Sequence, residues 1–137
     1  CQLSTLCGRA MAISSRPVPS RPAAKGMGRH SASTSSGALS KALVRPETCG
    51  SRRIDFRISS YQPMAYVAEH VHQVQEQVYH VLSGEGSLTL DDKRVTLRQH
   101  DYVFVPPGVR HGFTNNGLEP LVFLVVTTPV EDNETVL

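Results

Sequence analysis

The sequence predicts an all-β fold for its second half, a small jelly-roll barrel. Three observations carry that expectation. From residue 52 onward, apolar and polar residues alternate with a period of two. Clusters of Gly, Pro, Asn and Asp interrupt the alternation about every eight to twelve residues, and no helical period lies between them. Strands at that spacing pack as a sandwich or barrel.

The first strand is read in Arg53-Ile54-Asp55-Phe56-Arg57-Ile58, where apolar and charged residues alternate. Further β-rich runs follow at Ala65–His70, Gln77–Leu82, Ser87–Leu90, Arg94–Leu97, Tyr102–Val105, Gly112–Thr114 and Leu121–Thr127. Turn chemistry separates them at Gly84-Glu85-Gly86, Asp91-Asp92, Pro106-Pro107-Gly108 and Asn115-Asn116-Gly117. The run Leu121–Thr127 is apolar enough to be buried on both faces. It contains the longest unbroken apolar stretch, Leu121 to Val126, far short of the roughly 20 residues of a membrane helix.

The first 46 residues are of another kind. They hold seven of the 14 Lys and Arg and no Asp or Glu, whereas residues 47–137 hold the other seven and all 12 acidic residues. The overall charge of +2 thus divides into +7 and −5. All eight aromatic residues lie between Phe56 and Phe123. The leader is rich in Ser, Ala, Pro and Arg and cannot bury enough surface to offset its ordering entropy, so a disordered N-terminal segment is expected, with a helical turn at Gly37 to Leu43 as the one exception. The expected organisation is a leader at 1–46, a barrel at 47–130 and an acidic, mobile tail at 131–137. The leader reads as upstream sequence outside the functional protein, as an organelle transit peptide, or as a basic nucleic-acid arm lacking aromatics to stack on bases. Cys1, Cys7 and Cys49 form no CxxC pair, so no zinc knuckle or disulfide framework is indicated, and a cytoplasmic location is expected.

The chemistry concentrates on histidine. His70 and His72 are two apart, a spacing that puts both rings on one face of a strand. Gln77 comes five residues later and Gly84 seven beyond it. Downstream, Pro106, Gly108, His111 and Asn115 fall in one short run. This combination resembles the cupin superfamily, whose two motifs read G-x5-H-x-H-x3,4-E-x6-G and G-x5-P-x-G-x2-H-x3-N. The resemblance covers residues 53–129 and implies a small single-domain cupin with a double-stranded β-helix. The usual Glu position is Gln77 here. Glu76, just before it, fits the shorter motif spacing but misses Gly84 by one. Counting back from Gly84 turns Gln77 inward, whereas a slip of one residue turns Glu76 inward instead. Met64 and His100 stand where the motifs usually begin with Gly.

By the resemblance, His70, His72, Gln77 and His111 would hold one divalent transition metal: Fe, Mn, Ni, Zn or Cu. Three imidazoles and an oxygen suit any of these. An amide oxygen leaves the ion its full charge, which strengthens Lewis-acid catalysis, but Gln cannot accept a proton. A base would be a metal-bound hydroxide, Tyr79, or Glu76. Tyr66 and Phe113 are expected to line the pocket as apolar wall. His80 has outward parity, and Arg57, on the charged face of the first strand, is read as solvated or facing a dimer partner, with a substrate carboxylate as the alternative it could meet.

The resemblance defines a fold and a site and leaves the reaction open. The expected function is a metal-dependent enzyme acting on a small oxygen-rich metabolite by isomerase- or lyase-like chemistry. The alternatives are an iron-dependent dioxygenase and a non-catalytic small-molecule-binding or sensor protein. A homodimer is expected, because an open jelly roll leaves edge strands to cover. No nucleic-acid or membrane partner is expected. Metallo-β-lactamase-like hydrolases are set aside because Val74 stands where their Asp is needed.

Overall fold

In a computed structural model of the chain, residues 10–11 and 34–132 are described. The strands are β1 (Ala10–Met11), β2 (Ala38–Val44), β3 (Asp55–Tyr61), β4 (Tyr66–His70), β5 (Glu76–Ser83), β6 (Glu85–Leu90), β7 (Lys93–Arg98), β8 (Tyr102–Val105), β9 (His111–Thr114) and β10 (Leu121–Thr128). A four-residue helix, α1 (Pro46–Cys49), leads from β2 toward β3. The strands form a six-stranded sheet in the order β1-β8-β5-β10-β3-β2 and a four-stranded sheet in the order β4-β9-β6-β7. Every pairing is antiparallel except the short β1–β8 contact. This is the jelly-roll barrel expected from the alternation, in the double-stranded β-helix form that the family resemblance implied.

Period-two patterning explains the strands. In β5, Gln77, Tyr79 and Val81 are buried while Glu76 and Val78 are exposed; in β8, Val103 and Val105 are buried while Tyr102 and Phe104 are exposed. The inward residues of both sheets meet in one core that includes Tyr61, Tyr79, Val81, Leu88, Leu97, Phe113 and Phe123. Its rings pack edge-on, with Phe113 and Phe123 4.8 Å apart at 64°, and Tyr61 and Phe123 5.0 Å apart at 83°. Such pairs add about 0.5–1.5 kcal/mol each beyond their buried area.

The two missing motif glycines are explained by backbone. Met64 and His100 both adopt left-handed conformations, with φ of 69° and 72°. Gly84 is also left-handed, and a Cβ there would sit 2.5 Å from the Pro120 carbonyl oxygen, so close packing as well as φ demands glycine. The motif Asn115 is fully buried and ties the loop: its amide donates to the Tyr61 and Glu119 carbonyls at 2.8 Å, and its oxygen accepts from the Gly117 N–H at 2.9 Å.

Three expectations change. The stretch from Gly37 to Leu43, read as a helical turn inside the leader, falls on β2 (Ala38–Val44), a strand hydrogen-bonded to β3, with Ser40 Oγ 2.7 Å from Ser59 Oγ. Pairing supplies the partners that its own weak β propensity does not predict. Residues 1–9, 12–33 and 133–137, where most of the expected disorder falls, lie outside the described residues. In β10, Leu121, Phe123 and Thr127 are buried but Val122, Leu124 and Val126 are only partly so, because among the described residues no second layer covers the outer face. In β3 the inward row is Asp55, Arg57, Ser59 and Tyr61, while Phe56 and Ile58 face the other way. Arg57 therefore lines the cavity, with its side chain still 37% exposed to solvent. No helix among the described residues is long and apolar enough to cross a membrane.

Candidate metal centre and its cavity

Three histidines converge at one end of the barrel. His70 ends β4, His111 begins β9 directly opposite it in register, and His72 lies two residues past the end of β4. Their ring centroids are 4.4 Å (His70–His111), 4.8 Å (His70–His72) and 5.4 Å (His72–His111) apart. One nitrogen from each ring lies within 4.8 Å of the others, so the three could hold a metal ion.

Neighbouring acceptors orient the rings. His70 Nδ1 bonds the Ala68 carbonyl at 2.8 Å and His111 Nδ1 the Val109 carbonyl at 2.9 Å. A carbonyl only accepts, so Nδ1 carries the proton and Nε2 keeps a free lone pair. His72 Nδ1 is 3.4 Å from the Asp132 carboxylate, and His72 Nε2 is buried without a hydrogen-bond partner. Burial holds His111 neutral, pushing its pKa down to about 4, and His72 is also lowered by burial and by neighbouring His70.

Gln77 joins the cluster from the opposite sheet. It is buried, and its Oε1 lies 2.8 Å from His111 Nε2. Oε1 also accepts from the Tyr79 hydroxyl at 2.8 Å, and its Nε2 donates to Thr127 Oγ1 at 3.2 Å. An unprotonated imidazole nitrogen and an amide oxygen at 2.8 Å present two lone pairs to each other. A cation shared by the two lone pairs relieves that contact, as does turning the Gln77 amide so that its NH2 donates to His111; three imidazole nitrogens and an amide oxygen are a donor set that fits a bound metal. All the donors are neutral, which would leave a divalent ion its full charge.

The other expected residues fall into two groups. Tyr79 is buried beside the cluster, and burial, reinforced by Tyr61, raises its phenol pKa, keeping the proton it donates to Gln77. Phe113 is wholly buried in the core beneath the cavity and does not line it. Glu76 is on the exposed face of β5, because successive side chains of a strand alternate faces. Tyr66 is 43% exposed: a register shift between Val67 and His70 breaks the parity linking it to His70, and Val67 lines the cavity in its place.

The cavity in front of the histidines measures about 340 Å³. Its wall is more polar than the sequence suggested, and includes Arg45, Asp55, Arg57, Ser59 and Gln75. Alternation in β3 announced a charged face without saying that this face turns inward. Asp132 carried no signal at all. Its carboxylate accepts the N–H groups of Gln73, Val74 and Gln75 at 3.1–3.2 Å, and Gln75 Nε2 donates to the carbonyls of Pro129 and Val130 at 3.0 and 2.8 Å. These bonds strap residues 129–132 beside His72.

A double-stranded β-helix with three convergent histidines at one end defines a metal-capable barrel protein. The sequence profile of the cupin domain matches residues 57–127, and the chain belongs to the cupin family. It is 33% identical over 64 residues to an oxalate-binding protein of Thermotoga maritima, covering 47% of this chain and 53% of that one. The chain spans about half the length of the curated relatives it matches. Among solved structures, a predicted oxalate decarboxylase of Thermotoga maritima superposes with a TM-score of 0.63 at 26% identity, over 68% of this chain and 81% of that one. A sugar phosphate isomerase of the cupin superfamily from Silicibacter pomeroyi superposes with a TM-score of 0.62 at 26% identity, over 69% and 60%.

Proposed function

We propose that this cupin holds one divalent transition metal on His70, His72, Gln77 and His111 and acts on a small oxygen-rich molecule by Lewis-acid chemistry of the isomerase or lyase kind. The observation that carries the reading is the convergence of three imidazoles, one nitrogen of each within 4.8 Å of the others, on the Gln77 amide, whose Oε1 lies 2.8 Å from His111 Nε2. When bound, the metal would polarise a substrate carbonyl or hydroxyl oxygen. The protein's own part is to hold three Nε2 atoms by their Nδ1 bonds and to position Gln77 through Tyr79 and Thr127. Of the carboxylates lining the cavity, Asp55 is tied to two arginines, whereas Glu131 forms no ion pair among the described residues. The cavity admits a ligand of a few carbons, and its polar wall suits one rich in oxygen.

Elemental analysis of protein from its native host tests the reading. About one redox-inactive metal per chain, lost in His111→Ala, is expected; iron in its place would favour oxygen-dependent cleavage, and no metal after reconstitution would refute the site. The protein is also proposed to pair as a homodimer. The outer face of the six-stranded sheet supports this, with Val78, Tyr102 and Phe104 about two-fifths exposed and Leu39 67% exposed.

A further inference from the structure

We propose that the cavity contains an anion anchor separate from the metal ligands: Arg57, braced by Asp55 and flanked by Arg45, recognises the carboxylate of a small organic acid. The inference rests on the metal reading above only in assigning the acid's other oxygen to the metal.

β3 turns its charged row inward and its apolar row outward, which burial of apolar area alone would never select. Asp55, only 6% exposed, accepts a two-pronged bond from Arg57, Nε to Oδ1 at 2.8 Å and Nη2 to Oδ2 at 2.7 Å. The same Oδ2 lies 3.1 Å from Arg45 Nε, a buried nitrogen that makes no hydrogen bond. Arg45 Nε is also 3.5 Å from the exposed Glu47 carboxylate, so two carboxylates match the two guanidinium groups, and what the fork leaves at the cavity wall is the unused N–H edge of Arg57. The fork spends two of the five N–H donors of Arg57 and fixes its plane, so ordering the rest costs a ligand little.

Position and charge define the ligand. Across the sheet, Arg57 pairs with Val125, and Val125 pairs with Tyr79 beside the histidines. Two strand spacings place these backbones about 10 Å apart. With Arg57 reaching in from one side and the imidazoles from the other, an acid of a few carbons can touch both. With the two arginines already matched by Asp55 and Glu47, and Glu131 also at the cavity, a single carboxylate suits the wall better than a phosphate dianion.

Calorimetric titration of the zinc-loaded full chain with succinate, acetate and the neutral succinamide tests the proposal, with zinc content measured on every variant. Wild type should bind succinate more tightly than acetate and should not bind succinamide. Arg57→Gln should retain zinc and weaken succinate binding by about tenfold or more, as loss of a charge-assisted pair implies. Arg57→Lys, which keeps the charge but not the fork, should fall between, and decides the question if the Gln variant does not fold. Unchanged succinate binding in a zinc-replete Arg57 variant, or no acid binding by zinc-replete wild type, would overturn the anchor. Failure of wild type to take up zinc would refute the metal site instead; Arg57-dependent succinate binding would then still support the anchor, and its absence would overturn it.

Discussion

Acidifying the metal-free protein from neutral pH should remove folding stability through His111. Buried away from solvent and beside His70 and His72, its imidazole has a pKa pushed down to about 4, against 6.5 in the unfolded chain. The unfolded state therefore takes up the proton first. The contribution of His111 is fully present above about pH 6.5, shrinks as pH falls, and is gone below about pH 4. A fall from 6.5 to about 4 corresponds to about 3 kcal/mol. His72 is lowered in the same direction and adds to the loss, whereas the lowered Asp132 carboxyl acts only below its ordinary range. Urea unfolding with a chelator present, followed by circular dichroism, reads this directly: at a slope of about 1–3 kcal/mol per molar, the midpoint should drop by about 1–3 M across the window. His111→Asn, which cannot titrate, should show a shallower pH dependence than wild type. Parallel profiles for the two proteins would refute the assignment of a buried, neutral His111.

Three further outcomes follow from the geometry. Gln77→Ala should lose metal while Glu76→Ala keeps it, by elemental analysis; the reverse would mean the β5 register is off by one. Asp132→Ala should free the His72 ring and weaken zinc binding by about 10- to 100-fold in a competitive chelator titration, with unchanged affinity arguing that Asp132 holds only the backbone of residues 73–75. Sedimentation should find a dimer that Phe104→Lys converts to monomer, and a monomeric wild type would remove the proposed pairing.

Much of the barrel was legible because a half-buried strand writes its geometry into alternate residues. Gln77, Tyr79 and Val81 reveal β5 without any tertiary information. The histidine triad was legible from spacing together with the second motif. The remainder depended on what lies across from each residue. Asp55 and Arg57 alternate with Phe56 and Ile58 whichever row is inside, so only the fold tells that the charged row lines a cavity. The bulge that turns Tyr66 outward leaves no local mark, since its cause is the pairing with β9. Asp132 reaches His72 across 60 positions of sequence, a separation no local pattern reports. Ala38–Val44 has few residues that favour strands and forms one because the edge of β3 offers hydrogen bonds.

The most direct measurement is anomalous diffraction from crystals of the zinc-loaded protein. The account predicts one strong peak per chain, about 2.1 Å from the Nε2 atoms of His70, His72 and His111, with Gln77 Oε1 completing the protein ligands. A peak elsewhere, or none between these histidines in zinc-replete crystals, would contradict it.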